Sequence, residues 1–435
     1  MQLILLSGIV AEIAILVAIA KINQGGLRLL LYILSGFWFL SYFIRPVIFI
    51  FSRNRNLESV FYDGRIGRNQ GLLSEILLSI LVSCFVFCIP FLIFKKSIVS
   101  HGKTRFLAES KSDFLIVIVV GMVTGFISLL IEYSGVRNPF SKSLFILLPI
   151  SFSAFLWSYQ KYSFSKELKL TLFVFGAIGT VLTSSYLDSS KGVILTPLLV
   201  FIYSRKVWLR KTRLSIRSTL LVSLVTLIFP LFSFLQTRHL GATRVSDQSR
   251  YADLLPWYLS PFVLIGGRFD QFARITDAHL AAENSLGGYF SWFTYFIKAL
   301  AWNPSSGRSE LSFGQTWNQL ITNQSIPGSR LSTVSLAQGM VGEGYIWGRY
   351  DTLIVEALFF SAVFIILARL LNGKSLSVVF AFCVIANGSF FETGTIGVAN
   401  SISAGLKIFL YMFFTTKILT KSVKGKQLER IRLIG

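Results

Sequence analysis

Long apolar runs alternate with short, mostly basic connections along this chain, and the pattern predicts helices. A run of about 17–25 apolar residues spans a bilayer as a helix, because lipid offers the backbone no outside hydrogen-bond partner. Candidate spans fall at about 3–20, 27–51, 72–94, 114–131, 143–157, 168–186, 192–208, 217–235, 352–371, 375–391 and 400–416. That is eleven transmembrane helices. The fifth and seventh are short and contain Pro149 and Pro197, so broken or tilted helices are expected there. One polar interruption divides the series. Residues 1–235 hold helices one to eight, 236–351 form a single large loop, 352–416 hold the last three helices, and 417–435 form a basic tail. Within the loop, Tyr289 to Trp302 is apolar but shorter than a span, which suits an interfacial or re-entrant helix. No inverted repeat and no low-complexity linker is visible.

Composition supports the membrane class. Hydrophobic residues make up 53% and charged residues 14%, against about 25% charged in ordinary soluble domains. Cys84, Cys88 and Cys383 all lie in apolar segments and read as small core residues. With three histidines and no Cys/His cluster, neither a metal site nor a cofactor is expected. The segment Ala18-Ile19-Ala20 resembles a signal-cleavage site. Only Met1-Gln2 precedes the apolar run, however, so a retained first helix is expected.

The formal net charge of +22 raises nucleic acid as a partner, but its placement argues for membrane orientation instead. Arg205, Lys206, Arg210, Lys211, Arg213 and Arg217 form one acid-free connection that belongs inside. Counting spans outward from it places the basic tail inside and the N-terminus and large loop outside. Inside connections then hold 24 basic residues, of which 15 are lysine. Outside connections hold 16, of which 13 are arginine. Topology does not require arginine over lysine, whereas bidentate grip on phosphate does favour it.

The large loop concentrates that signal. It carries Arg238, Arg244, Arg250, Arg268, Arg274, Arg308, Arg330 and Arg349, together with five of the eight tryptophans, Trp317 and Trp347 among them. Eight carboxylates share the loop, so ion pairing accounts equally well for many single arginines. The connection 52–71 adds Arg53, Arg55, Arg65 and Arg68 against only Glu58 and Asp63.

Gly266 to His279 reads as the start of an amphipathic helix, with Asp270, Arg274 and Asp277 on one face. This is either a structural ion-pair ladder or a carboxylate base beside cations. His279 is the histidine nearest that cluster. Asn303 to Ser335 is rich in Gly, Ser and Asn and reads as a loop over the site. It leads to Gly339-Met340-Val341-Gly342-Glu343-Gly344-Tyr345-Ile346-Trp347-Gly348-Arg349, whose glycines allow close backbone approach. Glu356 and Lys407 lie within spans and could pair; Glu12 and Glu75 are weaker intramembrane candidates.

The order of these features resembles bacterial O-antigen polymerases, the Wzy-type oligosaccharide repeat-unit polymerases. The resemblance runs from Gly267-Arg268-Phe269 through the aromatic stretch to Asn303-Pro304. It closes on Ser335 and the Gly342-Glu343-Gly344-Tyr345 and Gly348 stretch. It implies an all-α polytopic GT-C-like membrane glycosyltransferase with a large periplasmic loop, in the bacterial inner membrane. Such an enzyme joins polyprenyl-diphosphate-linked oligosaccharides, donor and acceptor alike, and can work with a chain-length regulator protein. Asp270, His279 and Glu343 are then the candidate catalytic bases. Arg53, Arg65, Arg238, Arg268, Arg274, Arg330, Arg349, Trp317 and Tyr345 are the candidate substrate-binding residues. An O-antigen ligase with a lipid A-core acceptor, and a lipid-linked oligosaccharide flippase, remain open as alternatives.

Overall fold

The described residues of the chain are almost entirely helical. The computed structural model describes residues 1–22, 25–43, 70–93, 111–135, 144, 146–159, 162–186, 191–204, 271–281, 288–300, 339–372, 377–387, 394–399, 401–403, 405–406, 410–411, 413–414 and 417–418. The helices are α1 (Gln2–Ile22), α2 (Gly25–Trp38, continued by a π-helical turn Phe39–Phe43) and α3 (Gln70–Ile93). Then follow α4 (Lys111–Tyr133), α5 (Leu147–Ser158), α6 (Lys166–Tyr186) and α7 (Lys191–Ser204). The rest are α8 (Phe272–Ala281), α9 (Gly288–Leu300), α10 (Gly339–Leu371) and α11 (Ser377–Asn387). No strand occurs among the described residues. Among the described residues, six helices are long and apolar enough to cross a membrane: α1, α2 with its π turn, α3, α4, α6 and α10. The protein is therefore an all-α, multi-pass membrane protein.

Two compact units divide these elements. The first comprises Met1–Ser100, Lys211–Ala368 and Phe390–Ala399; the second comprises His101–Arg210, Arg369–Ser389 and Asn400–Gly435.

In the second unit α5 is the centre, packed by α4, α6, α7 and α11. Lipid gives helices no hydrophobic reason to associate, so close backbone approach must supply the attraction. Small residues permit that approach. A side chain on Gly121 or Gly125 of α4 would run into Ser151 or Leu148 of α5. Gly176 and Gly179 of α6 meet Phe152 and Leu148 in the same way. Pro149 stands in the first turn of α5, where a missing N–H costs little. Helix α7 runs through Pro197 as one element, so the break expected there is not seen.

In the first unit α1, α2 and α3 pack side by side. Arg28 donates to the carbonyls of Ala20 and Lys21 at 3.2 and 2.7 Å, satisfying orphan groups at the end of α1. Ser361 of α10 donates to the Phe87 carbonyl of α3 at 2.7 Å, and Phe364 meets the edges of Phe87 and Phe91. Cys84 and Cys88, like Cys383 in the second unit, are buried and free.

Helix α10 begins at Gly339, thirteen residues before the expected span at 352. It is not continuous. Gly348 (φ −172°, ψ 30°) and Arg349 (φ 56°, ψ −128°) break it into two halves. Thr352 Oγ bridges the break, donating to the carbonyl of Gly344 in the first half and approaching that of Arg349 at 3.3 Å. Proline does not cause this kink. A glycine and a left-handed arginine do.

Candidate functional site

Segments drawn from the large interruption dock against the first half of α10. Ala278 of α8, Ile346 and Trp347 of α10, and Ile396 form a buried apolar cluster, with Trp292, Tyr295 and Ala299 of α9 packed on it. Phe296 of α9 also meets Phe359 of α10 edge to face at 5.1 Å. Helix α9 is the short aromatic helix that its sequence predicts. Its aromatic face is used for packing on α10 rather than left unpartnered.

Helix α8 lies on α3, and this contact creates a polar cluster in an otherwise apolar neighbourhood. His279 Nε2 is 3.0 Å from Ser79 Oγ, and Nδ1 is 3.6 Å from a Glu75 carboxylate oxygen. Glu75 and Ser79 are one turn apart on α3, which puts both on the face that meets α8. The Ser79 hydroxyl donates to the Glu75 carbonyl at 3.0 Å. A hydroxyl has one proton, so the Nε2–H of His279 donates to Ser79 Oγ, leaving Nδ1 as an acceptor facing Glu75.

Tyr345 stacks on the imidazole with ring centroids 3.6 Å apart and planes 15° from parallel. Tyr350 meets Tyr345 edge to face at 5.6 Å. Burial first, and the Arg349 guanidinium second, push the His279 imidazole down to about 3. A carboxylate nearby would ordinarily raise it. Here the contact exceeds hydrogen-bond length and the Glu75 side chain is 61% exposed, so its pull on the imidazole is weak and desolvation wins. His279 is neutral at physiological pH.

Arg349 supplies the cation of this cluster, from a backbone conformation that side chains rarely adopt. It is the one non-glycine residue with positive φ among the described residues. Such strain costs about 1–3 kcal/mol and concentrates where function requires it. The arrangement can do acid–base chemistry. An exposed carboxylate is backed by a buried neutral base, with a guanidinium close by to balance developing negative charge.

A second polar group lies on the opposite side of α10. Glu343, two residues from Tyr345, points away from His279. Its Oε1 accepts from the Ile396 N–H at 3.1 Å, and Glu356 Oε1 accepts from the Thr395 N–H at 3.1 Å. Both carboxylates are fully buried, at 0% and 1% exposure. Gly394 at φ +68° opens the short helix 394–399 and leaves the space that the Glu343 carboxylate occupies, since a Cβ there would overlap it.

Of the residues expected to form the site, the structure brings together His279, Tyr345 and Arg349. Glu343 stands apart with Glu356. Arg274 lies on α8, but its side chain falls outside the described residues. So do Asp270, Arg53, Arg65, Arg238, Arg268, Arg330 and Trp317. Glu75 proves more central than its place in an apolar run indicates, and no sequence motif marks Ser79, Tyr350 or Thr395. The i,i+4 spacing of Glu75 and Ser79 is the available signal, a weak one in a helix that also carries Ser74, Ser83, Cys84 and Cys88.

No protein-family model, curated protein or solved structure matches this chain.

Proposed function

We propose that this protein is a membrane glycosyltransferase that polymerises polyprenyl-diphosphate-linked oligosaccharide units, as the resemblance to O-antigen polymerases implies. In this reading eleven helices cross a bacterial inner membrane, and the large loop and site face the periplasm. The observation that carries the reading is the cluster of Glu75, His279, Tyr345 and the strained Arg349 where the loop segments meet α3 and α10.

The chemistry follows from those groups. An acceptor sugar hydroxyl is far too weak an acid to ionise alone, so its proton passes to a base as it attacks the anomeric carbon. Glu75 is the exposed base, and the buried neutral His279 packs behind it without a hydrogen bond to the carboxylate. The new bond forms from hydroxyl oxygen to anomeric carbon while the bond to diphosphate breaks, inverting configuration. The electron pair leaves on the diphosphate. Arg349 balances that charge, with Arg268, Arg274, Arg330 and Arg53 or Arg65 as further cations. The polyprenyl chain stays in the bilayer throughout, which is why the site must sit at its surface.

The break in α10 favours a second reading. Discontinuous helices with buried carboxylates are common in transporters, so a lipid-linked oligosaccharide flippase has an observation of its own. Purified protein in liposomes with lipid-linked repeat units separates the two. Ladders of lengthened lipid-linked glycan, unaffected by a chelator, support polymerisation. Translocation without joining supports the flippase. A single transfer to lipid A-core instead supports a ligase.

A further inference from the structure

The buried carboxylates of Glu343 and Glu356 are unused by the chemistry above, and their placement is unusual. They stand on opposite sides of the α10 break, Glu343 before it and Glu356 after it. Adjacent N–H groups of one short segment, at Thr395 and Ile396, hold the two carboxylates. The segment 394–399 therefore clasps both halves of the kinked helix.

Each carboxylate still has an oxygen to satisfy. Oε2 of Glu343 and Oε2 of Glu356 accept no hydrogen bond, and neither residue makes an ion pair among the described residues. A third oxygen lies beside them. The Thr395 hydroxyl is fully buried, lies against both carboxylates and has no well-formed hydrogen bond. Among the described residues, the other polar groups beside the pair are the Trp292 indole of α9 and the Tyr42 phenol from the π turn after α2. None carries positive charge. Two carboxylates out of water with no counter-charge are too costly to persist. Three neighbouring oxygens, two of them from carboxylates, are the ligand chemistry of a small hard cation.

We infer that Glu343, Glu356 and Thr395 bind one alkali metal ion, and that its binding locks the kink of α10. Through Tyr345 and Arg349, which lie on and beside the same kink, occupancy sets the geometry of the His279 cluster. The inference rests on the α10 geometry and holds whether the protein joins glycans or moves them.

Thermal unfolding of the full chain in nanodiscs tests it, with sodium exchanged for choline at constant ionic strength and pH varied in sodium-free buffer. A melting temperature that climbs by about 1–2 °C per tenfold sodium above its dissociation constant identifies an alkali ion. Indifference to sodium, with stability that falls as pH is raised from neutral, shows the pair held by its own protons and overturns the site. E343Q/E356Q must abolish the sodium response. Should that variant not fold, T395V keeps both carboxylates and is expected to weaken the sodium midpoint several-fold. Equal responses in wild type and the double variant, or an unmoved midpoint in T395V, overturn the site. Lys407, which lies outside the described residues, is the remaining rival as counter-charge. A K407Q protein that loses stability while the wild type ignores sodium would assign the pairing to that lysine and overturn the inference.

Discussion

Replacing Gly394 with alanine tests the clasp directly, because two independent penalties meet at that residue. Its φ of +68° lies in the left-handed region, where a Cβ costs about 1–2 kcal/mol. The same Cβ would overlap the Glu343 carboxylate, with Glu343 Cβ only 3.0 Å away, so a flexible side-chain tip cannot absorb the whole contact. The carboxylate must move and give up its bond from Ile396, worth about 1.5–3 kcal/mol for a charged acceptor. The sum is a loss of about 3–5 kcal/mol. Gly36 provides the control. It sits within α2, and an added Cβ there would meet nothing within 4 Å, so G36A is expected to stabilise by up to about 1 kcal/mol through helix propensity. Both variants can be unfolded by denaturant titration in the same micelles, following tryptophan fluorescence. G394A within about 0.5 kcal/mol of wild type, or equal losses in the two variants, would refute the reasoning.

Other expectations concern the His279 cluster. E75Q is expected to lower glycan joining by about 10²–10⁴-fold while stability stays within about 0.5 kcal/mol, since the side chain is 61% exposed and makes no hydrogen bond to His279. S79A leaves the Nε2–H of His279 buried without its acceptor and is expected to cost about 1–3 kcal/mol, read by unfolding. R349G should stabilise by about 1 kcal/mol, by relieving the positive φ, yet lose activity with the guanidinium. The pH profile follows from the depressed imidazole. Between its ordinary value of 6.5 and about 3 the unfolded chain binds the extra proton, so stability present above 6.5 is lost as pH falls. The slope approaches about 1.4 kcal/mol per pH unit. H279N should flatten that limb, and an unchanged limb would show that other groups carry it.

Much of the architecture was legible in the order of residues, because its cause is one-dimensional. A helix in lipid satisfies its own backbone, so apolar run length alone announces α1, α3, α4 and α6 to within a few residues. The aromatic helix at 288–300 was readable for the same reason, being apolar yet too short to span. The glycine-rich stretch before residue 349, with Tyr345 and Arg349 in it, pointed to the start of α10.

The site itself was decided in three dimensions. His279 and Ser79 are 200 residues apart in sequence, and only the docking of α8 on α3 joins them. The kink at Gly348 and Arg349 has no proline to announce it. It depends on the Thr352 hydroxyl reaching across to the Gly344 carbonyl, a tertiary choice that local propensity does not encode. Likewise Glu343 and Tyr345, neighbours in sequence, part company because a helix turns about 100° per residue. One joins a buried carboxylate pair and the other stacks on a histidine. Run length determined that this protein lives in a membrane; the packing of helix faces decided which of its polar residues meet.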